Sequence, residues 1–164
     1  METQTVKMKR ILVNVDHCSG CRRCEVLCAF VHENQFRPSA ARINVVKEDI
    51  WGFDLPVLCN HCEDCAIVND CPAEALYRNA NGLITVDEEK CSGCGKCART
   101  CPLHAIRLHP DRLTPLLCDL CSGKPLCTEK CPTNALIYAD TEAPKLQPPE
   151  KVMKNTLKRW RMIA

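Results

Sequence analysis

Sixteen of the 164 residues are cysteines, and they form four groups of four along the chain. The groups are Cys18, Cys21, Cys24 and Cys28; Cys59, Cys62, Cys65 and Cys71; Cys91, Cys94, Cys97 and Cys101; and Cys118, Cys121, Cys127 and Cys131. Four thiolates are the ligand set of a cubane iron–sulfur cluster, so this count predicts four [4Fe–4S] clusters with no cysteine left over. We expect the chain to fold around inorganic cores rather than around large side chains, since only 4% of its residues are aromatic.

The third group has a spacing that indicates the metal. From Cys91 to Pro102 the sequence follows C-x2-C-x2-C-x3-C-P, the spacing of two-cluster bacterial ferredoxins, in which the fourth cysteine ligates the other cluster. Zinc sites also use C-x2-C pairs, but a longer stretch separates the two pairs. We therefore expect iron–sulfur clusters, and a zinc-stabilised binding module without redox activity is the alternative from another functional class.

The start of the chain and its charge favour a cytoplasmic electron carrier. Disulfides need an oxidising compartment, whereas Met1 to Arg10 is polar and charged and no signal-peptide core follows it. The formal charge of +2 counts the thiols as neutral, and four oxidised cubanes would bring it to about −6. We therefore expect no nucleic-acid partner. No apolar run is long enough to predict a transmembrane segment.

Sequence repeats predict the fold class. Short segments of similar sequence relate the first cysteine group to the third and the second to the fourth. The expected fold is α+β, with duplicated bacterial-ferredoxin-like units of short strands and helices around four clusters. Residues 1–140 form the expected four-cluster domain of two nested two-cluster units. Residues 141–150 form a proline-rich linker, and residues 151–164 form a C-terminal amphipathic helix.

Local patterns predict individual elements. The first group predicts a helix from Arg22 to His32, and the Cys-Pro sequences of the later groups predict short helical turns that run into strands. The longest segment without cysteine, from Ala29 to Leu58, contains Trp51 and Phe53, which we expect in a packing strand or lid, with a docking surface as the alternative. Alternating apolar residues predict strands at Ile11–Val15, Arg42–Val46 and Gly82–Val86.

The motifs resemble a known family. The second group opens with C-N-H-C-E-D, and the fourth has the form C-D-L-C-S-G-K-P-x-C-x3-C-P. Together the four motifs resemble the four-cluster ferredoxin-like subunits of molybdenum and tungsten pterin oxidoreductases. The stretch from Val31 to Val46 is most similar to the small iron–sulfur subunit of tungsten aldehyde oxidoreductase. The similar subunit of class II benzoyl-coenzyme A reductase is a close second.

The resemblance implies a non-catalytic electron-transfer subunit. It would relay single electrons through four [4Fe–4S] clusters between a tungstopterin aldehyde oxidoreductase catalytic subunit and an acceptor. The acceptor would be an FAD- or NAD-linked subunit or a soluble ferredoxin. The alternatives within this class are relay subunits of benzoyl-coenzyme A reductase, hydrogenase or a molybdopterin oxidoreductase. No group of residues in the sequence suggests catalysis.

The resemblance also implies a nested sharing of ligands, in which the second group pairs with the third and the first with the fourth. The implied sets are Cys18, Cys21, Cys24 and Cys131 for cluster 1; Cys59, Cys62, Cys65 and Cys101 for cluster 2; Cys91, Cys94, Cys97 and Cys71 for cluster 3; and Cys118, Cys121, Cys127 and Cys28 for cluster 4. Sequential pairing is the alternative. The second group departs from the family because Cys65 follows Cys62 more closely than usual, which lengthens its connection to Cys71.

Four side chains beside the cysteines are candidates for contacts with the clusters: His17, His61, Arg22 and Lys96. Histidines next to ligands are suited to hydrogen bonding with the ligating atoms. A nearby cation favours the more negative reduced cluster and raises its potential. Solvated surface is the alternative for the two cations.

The C-terminal segment has amphipathic character. Among five cations, Met153, Leu157, Trp160 and Ala164 recur at helical spacing. A helix of this length is marginal in water unless its apolar face is buried. We expect it to dock on the catalytic subunit or on another copy of this chain, with Trp160 as the buried anchor. Folding back onto its own domain and binding an anionic membrane are the alternatives.

Overall fold

The computed structural model of the chain describes residues 8–141 and 147–163. The elements in this part of the chain are short. The strands are β1 (Met8–Val13), β2 (Ile43–Glu48), β3 (Phe53–Leu58), β4 (Leu76–Arg78), β5 (Ile84–Val86), β6 (Arg107–Leu108), β7 (Pro115–Leu116) and β8 (Leu136–Thr141). The helices are α1 (Arg23–Glu33), α2 (Ala66–Asn69), α3 (Lys96–Thr100), α4 (Leu126–Glu129) and α5 (Pro149–Arg159). None of these helices has the length and apolar character needed to cross a lipid bilayer.

The first and last strands of the fold lie side by side. β1 and β8 pair in antiparallel fashion, from Met8 opposite Thr141 to Val13 opposite Leu136. The other strands form local antiparallel pairs, β2 with β3, β4 with β5 and β6 with β7. Helix α1 contacts α4, and α2 contacts α3. Helices that begin within the first and fourth cysteine groups therefore meet each other, and so do helices that begin within the second and third.

Several elements differ slightly from their predicted bounds. β1 ends at Val13 rather than at Val15, because the side chain of Asn14 accepts a hydrogen bond from the Asp16 amide and begins a 3₁₀ turn. Helix α1 is displaced by one residue from the prediction. Phe53 is 1% exposed in β3, so it belongs to a packing strand rather than to a lid.

The Cys-Pro sequences form tight turns instead of the short helical turns we predicted. The third residue after the cysteine, which is Glu74, His104 or Asn134, has a φ of 48°, 51° or 54°. A right-handed helix cannot continue through such a left-handed residue. In each turn the amide of this residue donates a hydrogen bond to the cysteine carbonyl, and a strand (β4, β6 or β8) follows.

Helix α5 packs on the chain's own domain. It begins at Pro149, two residues before the predicted start, because proline suits the first position of a helix. Leu157 is 2% exposed, and the indole of Trp160 lies 6.4 Å from the ring of Phe53. The Trp160 Nε1–H also donates to Asp16 Oδ1 at 3.0 Å. The buried part of the apolar face therefore folds back onto the chain's own domain, which was the alternative. Trp160 is 37% exposed, and its role as an anchor on a partner or on a second copy remains a prediction. Residues 142–146 of the predicted linker and Ala164 lie outside the described residues.

The packing of α5 is testable through Leu157. We expect Leu157→Ala to weaken the attachment of the helix by about 2–3 kcal/mol, because it removes a fully buried side chain. Local unfolding of α5 should then become roughly 30-fold more frequent or more. Amide hydrogen exchange of the holoprotein measures this. Lys154→Ala, on the exposed side of the same helix, is the matched control. Equal exchange in the two variants would contradict the packing.

Candidate metal centres

Four cavities in the structure are each lined by four cysteines. They are similar in size, with 330 to 360 Å³ of space including the mouth. Cavity 1 has Cys18, Cys21, Cys24 and Cys131; cavity 2 has Cys59, Cys62, Cys65 and Cys101; cavity 3 has Cys71, Cys91, Cys94 and Cys97; and cavity 4 has Cys28, Cys118, Cys121 and Cys127. All sixteen cysteines are free thiols. The structure thus brings together the same sets of residues that nested sharing implies.

The spacing of the thiols suits a cluster of several atoms. A zinc ion with Zn–S bonds of about 2.3 Å holds its sulfur ligands roughly 3.8 Å apart in a tetrahedron. Among the residues that the structure describes, no three cysteine sulfurs lie within 4.8 Å of one another. A cubane spreads its four ligands over a larger core. The donor set and its spacing therefore fit [4Fe–4S] clusters better than single ions.

Burial makes four of the cavity thiols poor acids. Burial is the main reason that the pKa values of Cys24, Cys59 and Cys127 rise to about 12, and it raises the pKa of Cys118 well above the ordinary thiol value. These groups carry protons at neutral pH in the absence of metal. Iron binding must displace those protons, because the thiolate is the ligand. Loading with iron therefore changes the charge of the interior of the protein.

The unusual spacing of the second group is accommodated by α2. The longer connection from Cys65 to Cys71 contains this one-turn helix, which buries Ile67 at 2% exposure. Cys65 lines cavity 2 and Cys71 lines cavity 3. The helix thus spans the distance between two cavities. It contacts α3, which connects Cys97 in cavity 3 to Cys101 in cavity 2.

Cavity 4 lies between cavities 1 and 2. Helix α1 carries Cys24 of cavity 1 and Cys28 of cavity 4 one turn apart. Leu58 lines cavity 4, and the next residue, Cys59, lines cavity 2. With α2 joining cavities 2 and 3, the four cavities follow one another in the order 1, 4, 2 and 3.

The two end cavities open to the surface. Cys21 in cavity 1 and Cys94 in cavity 3 are exposed, whereas Cys118 and Cys127 in cavity 4 and Cys59 in cavity 2 are buried. Solvent and other proteins therefore reach the line of cavities at its ends. All five buried cysteines line the two middle cavities, cavity 4 and cavity 2.

Three of the four candidate contact residues lie beside cavities. Arg22 lines cavity 1, with its Nε 2.8 Å from the buried carboxylate of Glu25, and Lys96 lines cavity 3. His61 is 1% exposed, and its Nδ1 accepts a hydrogen bond from the Ile84 amide at 2.9 Å and lies 3.8 Å from Cys59 Sγ. Burial lowers the pKa of His61 to about 4, so it is neutral. His17 differs from the prediction, because it is exposed in a surface 3₁₀ turn and does not line cavity 1.

His32 forms an ionic network at cavity 4 that sequence reasoning did not single out. Its Nδ1–H donates to the Cys28 carbonyl at 2.7 Å, and its Nε2–H donates to Asp119 Oδ1 at 3.1 Å. The hydrogen bond to Asp119 is the main reason that the pKa of His32 rises to about 12. Arg42 donates to the other carboxylate oxygen at 2.6 Å. The only sequence signal was that His32 lies one helical turn after Cys28.

Sequence similarity relates the protein to known iron–sulfur proteins. The family model for the 4Fe-4S dicluster domain matches residues 51–141. The polyferredoxin-like subunit of aliphatic sulfonate oxidoreductase from Pyrococcus furiosus is 46% identical over 88 residues, which cover 53% of this chain and 50% of the relative. A subunit of tetrathionate reductase from Salmonella typhimurium is 33% identical over 97 residues, covering 54% and 38%. The match therefore spans half or less of the length of these two curated relatives.

A solved structure shares the fold over nearly the whole chain. The active site complex BamBC of benzoyl coenzyme A reductase with benzoyl-CoA contains a polypeptide that is 25% identical, with a TM-score of 0.53. The likeness covers 94% of this chain and 92% of that one. It includes the segment before residue 51, which the family model does not match.

Proposed function

The protein belongs to the 4Fe-4S dicluster domain family, and from this we propose that it is a non-catalytic electron-transfer subunit with four [4Fe–4S] clusters. Each cluster supplies the ability to take up and release one electron when it is bound. The protein's own residues hold the clusters in a line and separate the middle of that line from water. Single electrons would enter at one end of the chain of clusters and leave at the other.

The observation that carries this proposal is the line of four cysteine-lined cavities with surface openings at its two ends. We propose that cavities 1 to 4 hold clusters 1 to 4 with the nested ligand sets. The nesting is supported by the pairing of β1 with β8 and by the contacts of α1 with α4 and α2 with α3. A relay needs closely spaced centres, and contact between neighbouring cavities supplies that spacing.

We further propose that the catalytic partner is a tungstopterin aldehyde oxidoreductase subunit, with an FAD- or NAD-linked subunit or a ferredoxin at the other end. The resemblance of the cysteine motifs supports this choice. The curated relatives include subunits of other oxidoreductases, which supports an oxidoreductase partner in general. A reducing compartment such as the cytoplasm would keep all sixteen thiols free for iron.

A second candidate is a relay for a benzoyl-coenzyme A reductase. It is favoured by one observation, the likeness of 94% of this chain to a polypeptide of the BamBC active site complex. Co-purification from an anaerobically grown host distinguishes the two partners, because the captured catalytic subunit is identified by mass spectrometry and its tungsten is measured directly. Purification of this protein without any catalytic subunit under all growth conditions would contradict both proposed partnerships.

The cofactor content tests the core of the proposal. We expect the anaerobically purified protein to contain about sixteen iron and sixteen acid-labile sulfide per chain, from four cubanes. The protein should be brown and should bleach when dithionite reduces it. A colourless preparation with zinc and without sulfide would instead establish the binding-module alternative.

A further inference from the structure

Arg10 is a cation buried in the interior of the fold. It lies in β1 and is 3% exposed. Its Nη1 donates hydrogen bonds to the backbone carbonyls of Asn60 and His61. Its Nε is buried and has no hydrogen-bond partner among the described residues. This guanidinium therefore lies directly behind the loop that carries Cys59 and Cys62 in cavity 2.

No carboxylate forms an ion pair with the guanidinium of Arg10 among the described residues. Among the described residues, no ion pair includes this side chain, although ten other pairs occur. Burial lowers the pKa of Arg10 from its ordinary value, while the nearby Cys62 and Glu63 raise it. A buried charge is costly unless an opposite charge lies close to it. An anionic cluster in cavity 2 would place an opposite charge close to Arg10.

A second arginine binds the same loop. Arg78 donates to the carbonyls of His61, Cys62 and Glu63, and so the two guanidiniums together bind four consecutive carbonyls, those of residues 60–63. Arg78 is exposed, in contrast to Arg10. Water therefore screens its charge more strongly than that of Arg10.

Most cations near the other cavities are paired or solvated. The exception is Arg107 near Cys28, which is half-buried, donates to three backbone carbonyls and has no ion pair among the described residues. Arg22 at cavity 1 pairs with Glu25, and Arg42 near cavity 4 pairs with Asp119. Lys96 at cavity 3 is partly exposed. A charge that is paired or in contact with water acts weakly on its surroundings. Arg10 combines burial with the absence of a carboxylate partner among the residues that the structure describes.

We propose that Arg10 is the buried counter-charge of the cluster held by Cys59, Cys62, Cys65 and Cys101, and that it raises the reduction potential of that cluster above the value it would otherwise have. This inference rests on the proposed function. Reduction adds one electron to a centre that is already anionic, with no bond made or broken, and a fixed positive charge favours the added electron. Arg10 is thus a positioning residue, which acts on cluster 2 of the relay through the electric field of its charge.

The test is a potentiometric titration of the holoprotein with dithionite, followed by electron paramagnetic resonance. Cys65→Ala identifies the signal of cluster 2 by its loss. We expect Arg10→Gln to shift the midpoint potential of that signal to more negative values and to leave the other three in place. Arg10→Lys, which keeps the charge, should restore most of the wild-type potential. Lys9→Gln removes a cation from an exposed position next to Arg10 in β1 and should change nothing.

The outcomes separate this inference from the proposed function. A wild-type protein without reducible clusters would end the proposed function itself. If the wild type has four clusters but Arg10→Gln leaves all potentials unchanged, only the inference fails. It also fails if Arg10→Lys and Arg10→Gln shift cluster 2 equally, since charge is then irrelevant. Should Arg10→Gln lose cluster 2 outright, retention of cluster 2 at its wild-type potential in Arg10→Lys supports the counter-charge, and its loss in both variants overturns it.

Discussion

Removal of iron and sulfide will leave this chain largely unfolded. The cysteines that line the four cavities are distributed over most of the described residues, so each cavity emptied of its cluster leaves a gap between several elements. A structural zinc site contributes on the order of 10 kcal/mol to the folding of a small domain, and a whole domain is stable by only about 5–15 kcal/mol. Loss of four sites with similar thiolate ligands should therefore exceed the entire stability of the fold.

The measurement compares the anaerobic holoprotein with protein stripped of iron by a chelator under reducing conditions. Far-ultraviolet circular dichroism should show loss of most of the helix and strand signal in the stripped sample. A sample kept with the same reductant but without chelator is the control for disulfide chemistry. A sharp cooperative thermal transition after iron is removed would show that the polypeptide core suffices for folding, contrary to this expectation.

Loss of Cys131 will destroy the cluster of the first cysteine group, although Cys131 lies 113 positions after Cys18 in the sequence. Cys131 lines cavity 1 together with Cys18, Cys21 and Cys24. We expect the Cys131→Ala variant to retain three of the four cubanes, since only one loses a ligand. Amide exchange should also rise in β1 and β8, whose pairing is completed next to this cavity.

Double variants distinguish nested from sequential sharing. Under nested sharing, Cys18→Ala combined with Cys131→Ala removes two ligands of one cluster, so three cubanes persist. Cys91→Ala combined with Cys131→Ala removes ligands of two clusters, so only two persist. Sequential sharing predicts the reverse, because Cys131 would then belong with the third group. Mössbauer spectra of iron-57 protein count the remaining cubanes in each variant.

Local sequence predicted the parts of the fold that depend on local geometry. Helix α1 was predicted to within one residue because it carries Cys24 and Cys28 one turn apart, and its start follows directly from the first motif. Phe53 was predicted to lie in a packing strand or a lid, and the structure places it in β3. Assigning the cysteines to sets of four required the resemblance to a known family. No local pattern indicates which distant group supplies the fourth ligand of a cluster.

Contacts between distant residues were beyond the reach of sequence patterns. His32 and Asp119 are 87 residues apart, and Arg10 and Asn60 are 50 apart. In neither pair does the spacing along the sequence indicate that the two residues are in contact. The amphipathic pattern of α5 indicated that one face would be buried, but the partner surface around Phe53 was not evident, because an apolar stripe has the same form whatever covers it.

The pairing of the first strand with the last imposes an order on biosynthesis. β1 leaves the ribosome early but cannot find its partner until β8, which ends at Thr141, has been made. The cavity that contains Cys59 and Cys101 and the cavity that contains Cys71 and Cys97 are complete before then. If the clusters are shared in the nested manner, clusters 2 and 3 can be loaded while translation continues. Clusters 1 and 4 can be loaded only after translation passes Cys131. The cysteines of the first group would therefore remain longest as thiols without metal. Exposure to oxidants during synthesis should damage clusters 1 and 4 most.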